Sequence, residues 1–154
     1  MPAETETQPE APLQEVILAD DKDWFLQTII ETVIQAGVEM GVTLTVGGTT
    51  IGGLLISGKK YFEELSDSIG SLSKKDDDVE SIMANGWRQY TQLYDVPEGA
   101  PDDWKPNPAG YIHLRDARVY AAGEQPIPEN GMLWRGRLAA VDGFALGSFG
   151  PKRS

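Results

Sequence analysis

The sequence predicts an α+β domain: one small, curved antiparallel sheet or barrel of about five strands, an N-terminal helix, and one or two helices inserted between the second and third strands. Three features predict it. Apolar residues near the N-terminus recur at helical three-and-four spacing, their period changes to two in several later stretches, and glycine pairs stand where a tight hairpin and a bent strand need them.

Each element follows in chain order. Asp23 is a helix-capping residue type, and behind it Phe25, Leu26, Ile29, Ile30, Val33 and Ile34 share one face until Gly37 supplies a stop. After Gly41, Val42, Leu44 and Val46 alternate with Thr43 and Thr45, and Gly47-Gly48 offers the positive φ angles of a tight turn into a return strand from Thr49 to Ser57. Gly52 and Gly53 within that strand mark a sharp bend. Tyr61, Phe62, Leu65, Ile69 and Leu72 predict a short helix over 59–72, although Gly70 and several serines weaken it. Asp76, Asp77 and Asp78 then form a negative helix start before an apolar and aromatic stripe of Val79, Ile82, Met83, Trp87, Tyr90, Leu93 and Tyr94. The proline-rich stretch 97–109 reads as a loop pinned by Trp104.

The chain closes in strands. Between Tyr111 and Tyr120, Ile112 and Leu114 share one face while Ala117 and Val119 share the other, which places a bulge or bend near Asp116. Met132 to Val141 is expected to pair with Phe144 to Phe149 across Asp142-Gly143, a strong hairpin signal. His113, flanked by two core-facing residues, is expected to point to the outer face of the sheet.

Residues 1–22 differ in composition from the rest: acid- and proline-rich, with few large apolar side chains. They are expected to form a disordered acidic tail, because too little apolar surface is present to offset a chain entropy of roughly 1–2 kcal/mol per residue. A single α+β domain is expected over 23–150, carrying a helical and proline-rich insertion at 59–110, with 151–154 as a C-terminal end. The 154-residue chain carries 13 basic and 24 acidic residues, a net charge of -11. By segment this is -6 over 1–23, -7 over 24–110 and +2 over 111–154. Such a balance repels a polyanion, so no nucleic-acid partner is expected.

Catalytic chemistry finds little to work with. Cysteine is absent and His113 is the one histidine, which excludes disulfides, zinc thiolate sites, thiol catalysis and multi-histidine metal sites. Asp76 to Asp78 with Glu80 lack the alternating ligands and the glycine of an EF-hand loop, and read as a solvated helix cap. The glycine pairs are not followed by the strand-to-helix switch or the Lys-Ser/Thr pair of a phosphate loop. Glu63 and Glu64 are adjacent on a helix and diverge. The expectation is a non-catalytic protein with no cofactor and no metal. Neither a secretory signal nor a stretch near the ~18 apolar residues of a membrane span is visible, which points to the cytoplasm and away from a membrane partner.

Positive charge gathers late, on Arg115, Arg118, Arg135 and Arg137. Together with Trp134 and the loop residue Trp104 these are the candidate binding residues. Arg135 and Arg137 are two apart in a strand and point the same way. Outward-facing strand charge is the plain reading; an acceptor for an acidic partner, the N-terminal tail included, is the sharper one.

Two resemblances rest on these stretches. The succession of a helix, "VTLTVGGTTIGGLLISG", "YIHLRDARVY" and "WRG" is similar in layout to Sm-like domains, where a helix precedes a bent five-stranded antiparallel barrel. That likeness implies an RNA-binding or oligomeric scaffold module as the alternative function. The loop "GKKYFEEL" lacks the Asp and Asn of an Sm-like RNA site, and only Arg135-Gly136 matches its second half. The segments "GVTLTVGGTTIGGLLISGKKYFEEL" at 41–65, "YIHLRDAR" at 111–118 and "WRGRLAAVDGFALG" at 134–147 resemble the gas vesicle protein U (GvpU) family of bacterial accessory proteins. This resemblance implies a non-shell component that binds gas vesicle shell or other gas vesicle proteins in the cytoplasm and affects vesicle assembly or clustering. Self-association is expected as well, since open first and last strands leave backbone groups that a second copy can extend.

Overall fold

Asp23 starts the first helix as its side chain dictates: its carboxylate accepts from the backbone N–H of Phe25 at 2.9 Å and of Leu26 at 3.2 Å. A computed structural model describes residues 22–148. The expected tail, apart from Lys22, and the ends beyond Ser148 lie outside the described residues. Helix α1 (Trp24–Ile29) runs on through a wider π turn (Ile30–Ile34), and Gly37 releases the chain at φ 100°. Five strands follow: β1 (Met40–Val46), β2 (Thr49–Ile56), β3 (Tyr111–Tyr120), β4 (Ile127–Arg137) and β5 (Gly143–Leu146). All pairings are antiparallel, in the order β4-β3-β2-β1-β5.

The turn between β1 and β2 uses Gly47 at φ 55° and Gly48 at φ 80°, as the hairpin demands. The bend in β2 has a visible cause. Register shifts between Gly52 and Leu54, and a Cβ on Gly53 would stand 2.9 Å from the Arg115 carbonyl oxygen and 3.1 Å from the Ala117 Cα. The bulge expected in β3 is also present: Asp116 has φ 52° and the pairing with β4 shifts between Leu114 and Ala117.

One face of the sheet carries the core. Leu26, Ile29, Ile30 and Ile34 of the first helix pack on Val42, Leu44, Ile51, Leu55, Ile112 and Leu114, each such burial being worth roughly 1.5–3 kcal/mol. The opposite face is covered by the insertion. Helix α2 (Gly58–Gly70), capped by Ser57, and helix α3 (Val79–Arg88), capped by Asp78, are followed by a 3-10 turn (Gln89–Tyr94). Gly70 ends α2 beside Ala84 of α3, where the two helices pack. Asp78 also gathers the Lys74 N–H at 2.7 Å and the Ser73 hydroxyl at 2.8 Å, which with the Ser81 N–H hold its carboxyl down at about 2.

Of the expected sheet or barrel, the sheet is what forms: among the described residues β4 and β5 are its two edges and do not pair. Two expectations are corrected. The Asp142-Gly143 hairpin does not form. After Arg137 the chain makes a 3-10 turn (Leu138–Ala140), buries Leu138 and Val141 in the core, and crosses to the free edge of β1, where Gly143 to Leu146 pairs with Thr45 to Val42. Asp142 serves that crossing, its N–H donating to Thr45 O at 2.9 Å and its carboxylate accepting from Gly47 N at 2.8 Å. Finally, His113 does point away from the α1 side, but α2 covers it and it is only 4% exposed.

Candidate interaction surface

The second face of β3 brings the site together. Tyr111, His113 and Arg115 alternate onto it, and register places Arg137 opposite Tyr111 and Arg135 opposite His113. Tyr61 and Phe62 of α2 lie over His113, with ring centroids 4.8 and 6.2 Å away. Burial first, and the Arg135 charge second, push the imidazole down to about 4, so it is neutral near neutral pH. Its Nε2 accepts from Arg135 Nε at 3.2 Å, which leaves the proton on Nδ1.

Arg135 is the centre of this surface. Its guanidinium carbon sits 3.6 Å from the Tyr111 ring centroid and 5.9 Å from that of Phe62, stacking its charge on aromatic faces. Among the described residues no carboxylate lies within ion-pairing distance of it. Arg115 differs. Its Nε donates to Glu64 at 2.6 Å and its Nη1 to both oxygens of Glu39 at 2.7 Å, which ties α2 to the sheet and to the segment before β1. Those hydrogen bonds hold Glu39 below the ordinary carboxylate range and raise Arg115 further.

The other candidates separate. Trp134, opposite Leu114, faces the α1 side and packs half-buried against the core, away from Arg135 and Arg137. Arg118 lies beyond the bulge and donates to the carbonyls of Glu129 and Asp116. Trp104 lines a cleft of about 1030 Å³ together with Lys59, Lys60, Tyr94, Tyr111 and His113. Gln27 and Glu31 of the first helix fasten one wall, by hydrogen bonds of 3.0 and 2.7 Å to the Ala109 carbonyl and N–H.

A second hollow of about 410 Å³ adjoins the first, sharing Leu93 and Tyr94 with it, and is lined by Tyr61, Phe62, Leu65, Trp87, Tyr90 and Arg135 as well. Tyr94 stands between the two, held where Gly58 leaves space for its hydroxyl, and its burial raises its pKa. Sequence reading placed Trp87, Tyr90, Leu93 and Tyr94 in a helical stripe and did not show that they line a hollow with Tyr61, Phe62 and Arg135. The signal was the length of the stripe: one helix face cannot bury so many rings on a sheet this small, and Tyr90 and Leu93 remain 49% and 73% exposed.

Aromatic side chains and arginine are the residue types enriched at protein interfaces. Among the described residues, no cluster of carboxylates and histidine is arranged to hold a metal ion, and no helix is long and apolar enough to cross a membrane. The chain belongs to the gas vesicle protein GvpU-like family, whose model matches residues 23–149. It is therefore a gas vesicle-associated protein. Comparisons with curated proteins and with solved structures give no match.

Proposed function

We propose that this protein is a non-catalytic accessory factor that binds gas vesicles or their shell subunits, self-associates, and thereby changes how vesicles assemble or cluster in the cytoplasm. The observation that supports it best is the aromatic hollow that Arg135 lines, adjoined by the Trp104 cleft, inside a chain whose family is gas vesicle-associated. A vesicle surface made of protein is bound by complementary polar groups and exposed rings, which is what Trp104, Tyr90, Arg135 and Arg137 offer. Arg115 contributes by holding the surface in shape. Arg118 lies beyond the bulge, and Trp134, on the opposite face, takes no part.

Self-association has its own basis in the open edges, since among the described residues β4 and the four-residue β5 each have a strand neighbour on one side only. An associated particle with several binding faces bridges vesicles through multivalency, with no new contact required. Co-sedimentation with isolated vesicles over a salt series tests the reading. Binding that Trp104→Ala and Arg135→Gln weaken is expected. No co-sedimentation at any salt, together with unaltered vesicle packing in a deletion strain, overturns it. The net charge of -11 sets RNA outside this function, and an RNA mobility shift at low salt contradicts that exclusion.

A further inference from the structure

The hollow lined by Tyr61, Phe62, Trp87, Tyr90, Leu93 and Arg135 is apolar on its walls and positive at one end. Arg135 stacks on Tyr111 and donates to a neutral imidazole, and Arg137 is its exposed neighbour on the same strand face. Among the described residues neither arginine has a carboxylate within ion-pairing distance. Lys59, Lys60, Arg88 and Arg115, by contrast, each face an acid within that distance. Two such arginines side by side are a local reversal of sign in a chain whose net charge is -11.

The chemistry of a ligand follows from these features. Positions 135 and 137 stand roughly 7 Å apart along the strand, so two carboxylates carried on one chain match them better than a single small anion does. The hollow, about 410 Å³, seats an aliphatic side chain, and at its mouth Tyr90 and Leu93 are exposed apolar groups that a longer chain can cover. A small molecule held inside the hollow would leave Leu93 in water.

We infer that the hollow and the two arginines form a docking site for an acidic segment of a partner protein, one in which large aliphatic side chains are flanked by carboxylates. An aliphatic side chain enters the hollow against Tyr90 and Leu93, and the flanking carboxylates pair with Arg135 and Arg137. The pocket supplies burial, and the ion pairs at one end fix which way the segment lies. The inference rests on the reading that this surface binds a partner, and gives that partner a chemistry.

The test titrates the full chain at low salt with a capped synthetic peptide, Ser-Glu-Glu-Leu-Leu-Glu-Glu-Ser, and reads the NMR signals of the Trp87 indole N–H and the Leu93 methyls. Saturable shifts of those signals are expected. Replacing every glutamate of the peptide by glutamine, or both leucines by serine, should each weaken binding about tenfold or more. Arg137→Gln and Leu93→Ser change exposed side chains and should weaken it likewise. Arg135→Gln should abolish binding, with retained core methyl shifts as the check on folding. No shift, equal binding of the glutamine peptide, unchanged binding by Arg135→Gln, or equally tight binding of isocaproate, a small aliphatic carboxylate, overturns the inference. Shifts that follow protein concentration without peptide mark a second copy in the site and overturn it too. Co-sedimentation separates this inference from vesicle binding. Vesicles that bind and are not displaced by the peptide refute the docking chemistry alone, whereas peptide binding without co-sedimentation refutes vesicle binding alone.

Discussion

Gly53 shows how one absent methyl group shapes the molecule. With the Arg115 carbonyl 2.9 Å from where its Cβ would stand, Gly53→Val forces backbone, not a pliable side chain, to move. It should cost more than ~1 kcal/mol and lower the Tm by several degrees; an unchanged melting temperature would show that the bend tolerates a side chain. His113 makes a second prediction. Its pKa falls from the ordinary 6.5 to about 4 on burial, so between those values the unfolded chain binds the additional proton. Its contribution to stability is complete above pH 6.5 and is lost as pH falls through about 4, a change of about 3 kcal/mol. Urea unfolding from pH 7 to pH 4 should show a steeper decline for the natural chain than for His113→Phe; parallel curves would refute it. Sequence reading set His113 on the correct face but left that face open to water. Spacing within a strand fixes which way a side chain points and carries no information on what another element lays over it. For the same reason Arg115 and Arg135 looked equivalent: the acids that separate them, Glu39 and Glu64, come from distant stretches.

At the level of elements, α2 is held to the sheet by rings at one place and by charge at another. The half-buried Arg115 between Glu39 and Glu64 fastens the helix, and Glu64 Oε2 already lacks a hydrogen-bond partner there. Arg115→Gln leaves two carboxylates facing each other in partial burial, so a cost of about 2 kcal/mol is expected, less than the full penalty of a buried pair because water reaches the site. Hydrogen exchange in α2 should rise more than in β1; equal protection throughout would argue against a fastening role. The helices, the first hairpin and the β3 bulge were legible because local chemistry specifies each of them: a cap, a glycine pair, a change of period. The β5 pairing was not. Asp142-Gly143 carries a hairpin signal, but the empty edge of β1 and the burial of Leu138 and Val141 offer more than a local turn does. That competition is between distant parts of the chain.

For the molecule as a whole, attraction and repulsion respond differently to salt. Copies carrying -11 each repel over the screening length, about 30 Å at 0.01 M salt and about 8 Å at 0.15 M. The contacts available to the proposed association are short: strand edges, exposed Leu146 and Leu93, and the rings around Arg135. Added salt therefore removes the long-range opposition first, while apolar and backbone contacts, which do not depend on net charge, persist. Light scattering at tens of micromolar should thus show a mass that rises from 0.01 M to about 0.15 M salt and then levels off. Shortening the acidic segment should move the rise to lower salt, because residues 1–23 carry -6 of the total. A strict monomer at every salt would remove self-association from the function, and a mass that falls steadily with salt would mean that charge pairing, not edge and ring contact, holds the copies together.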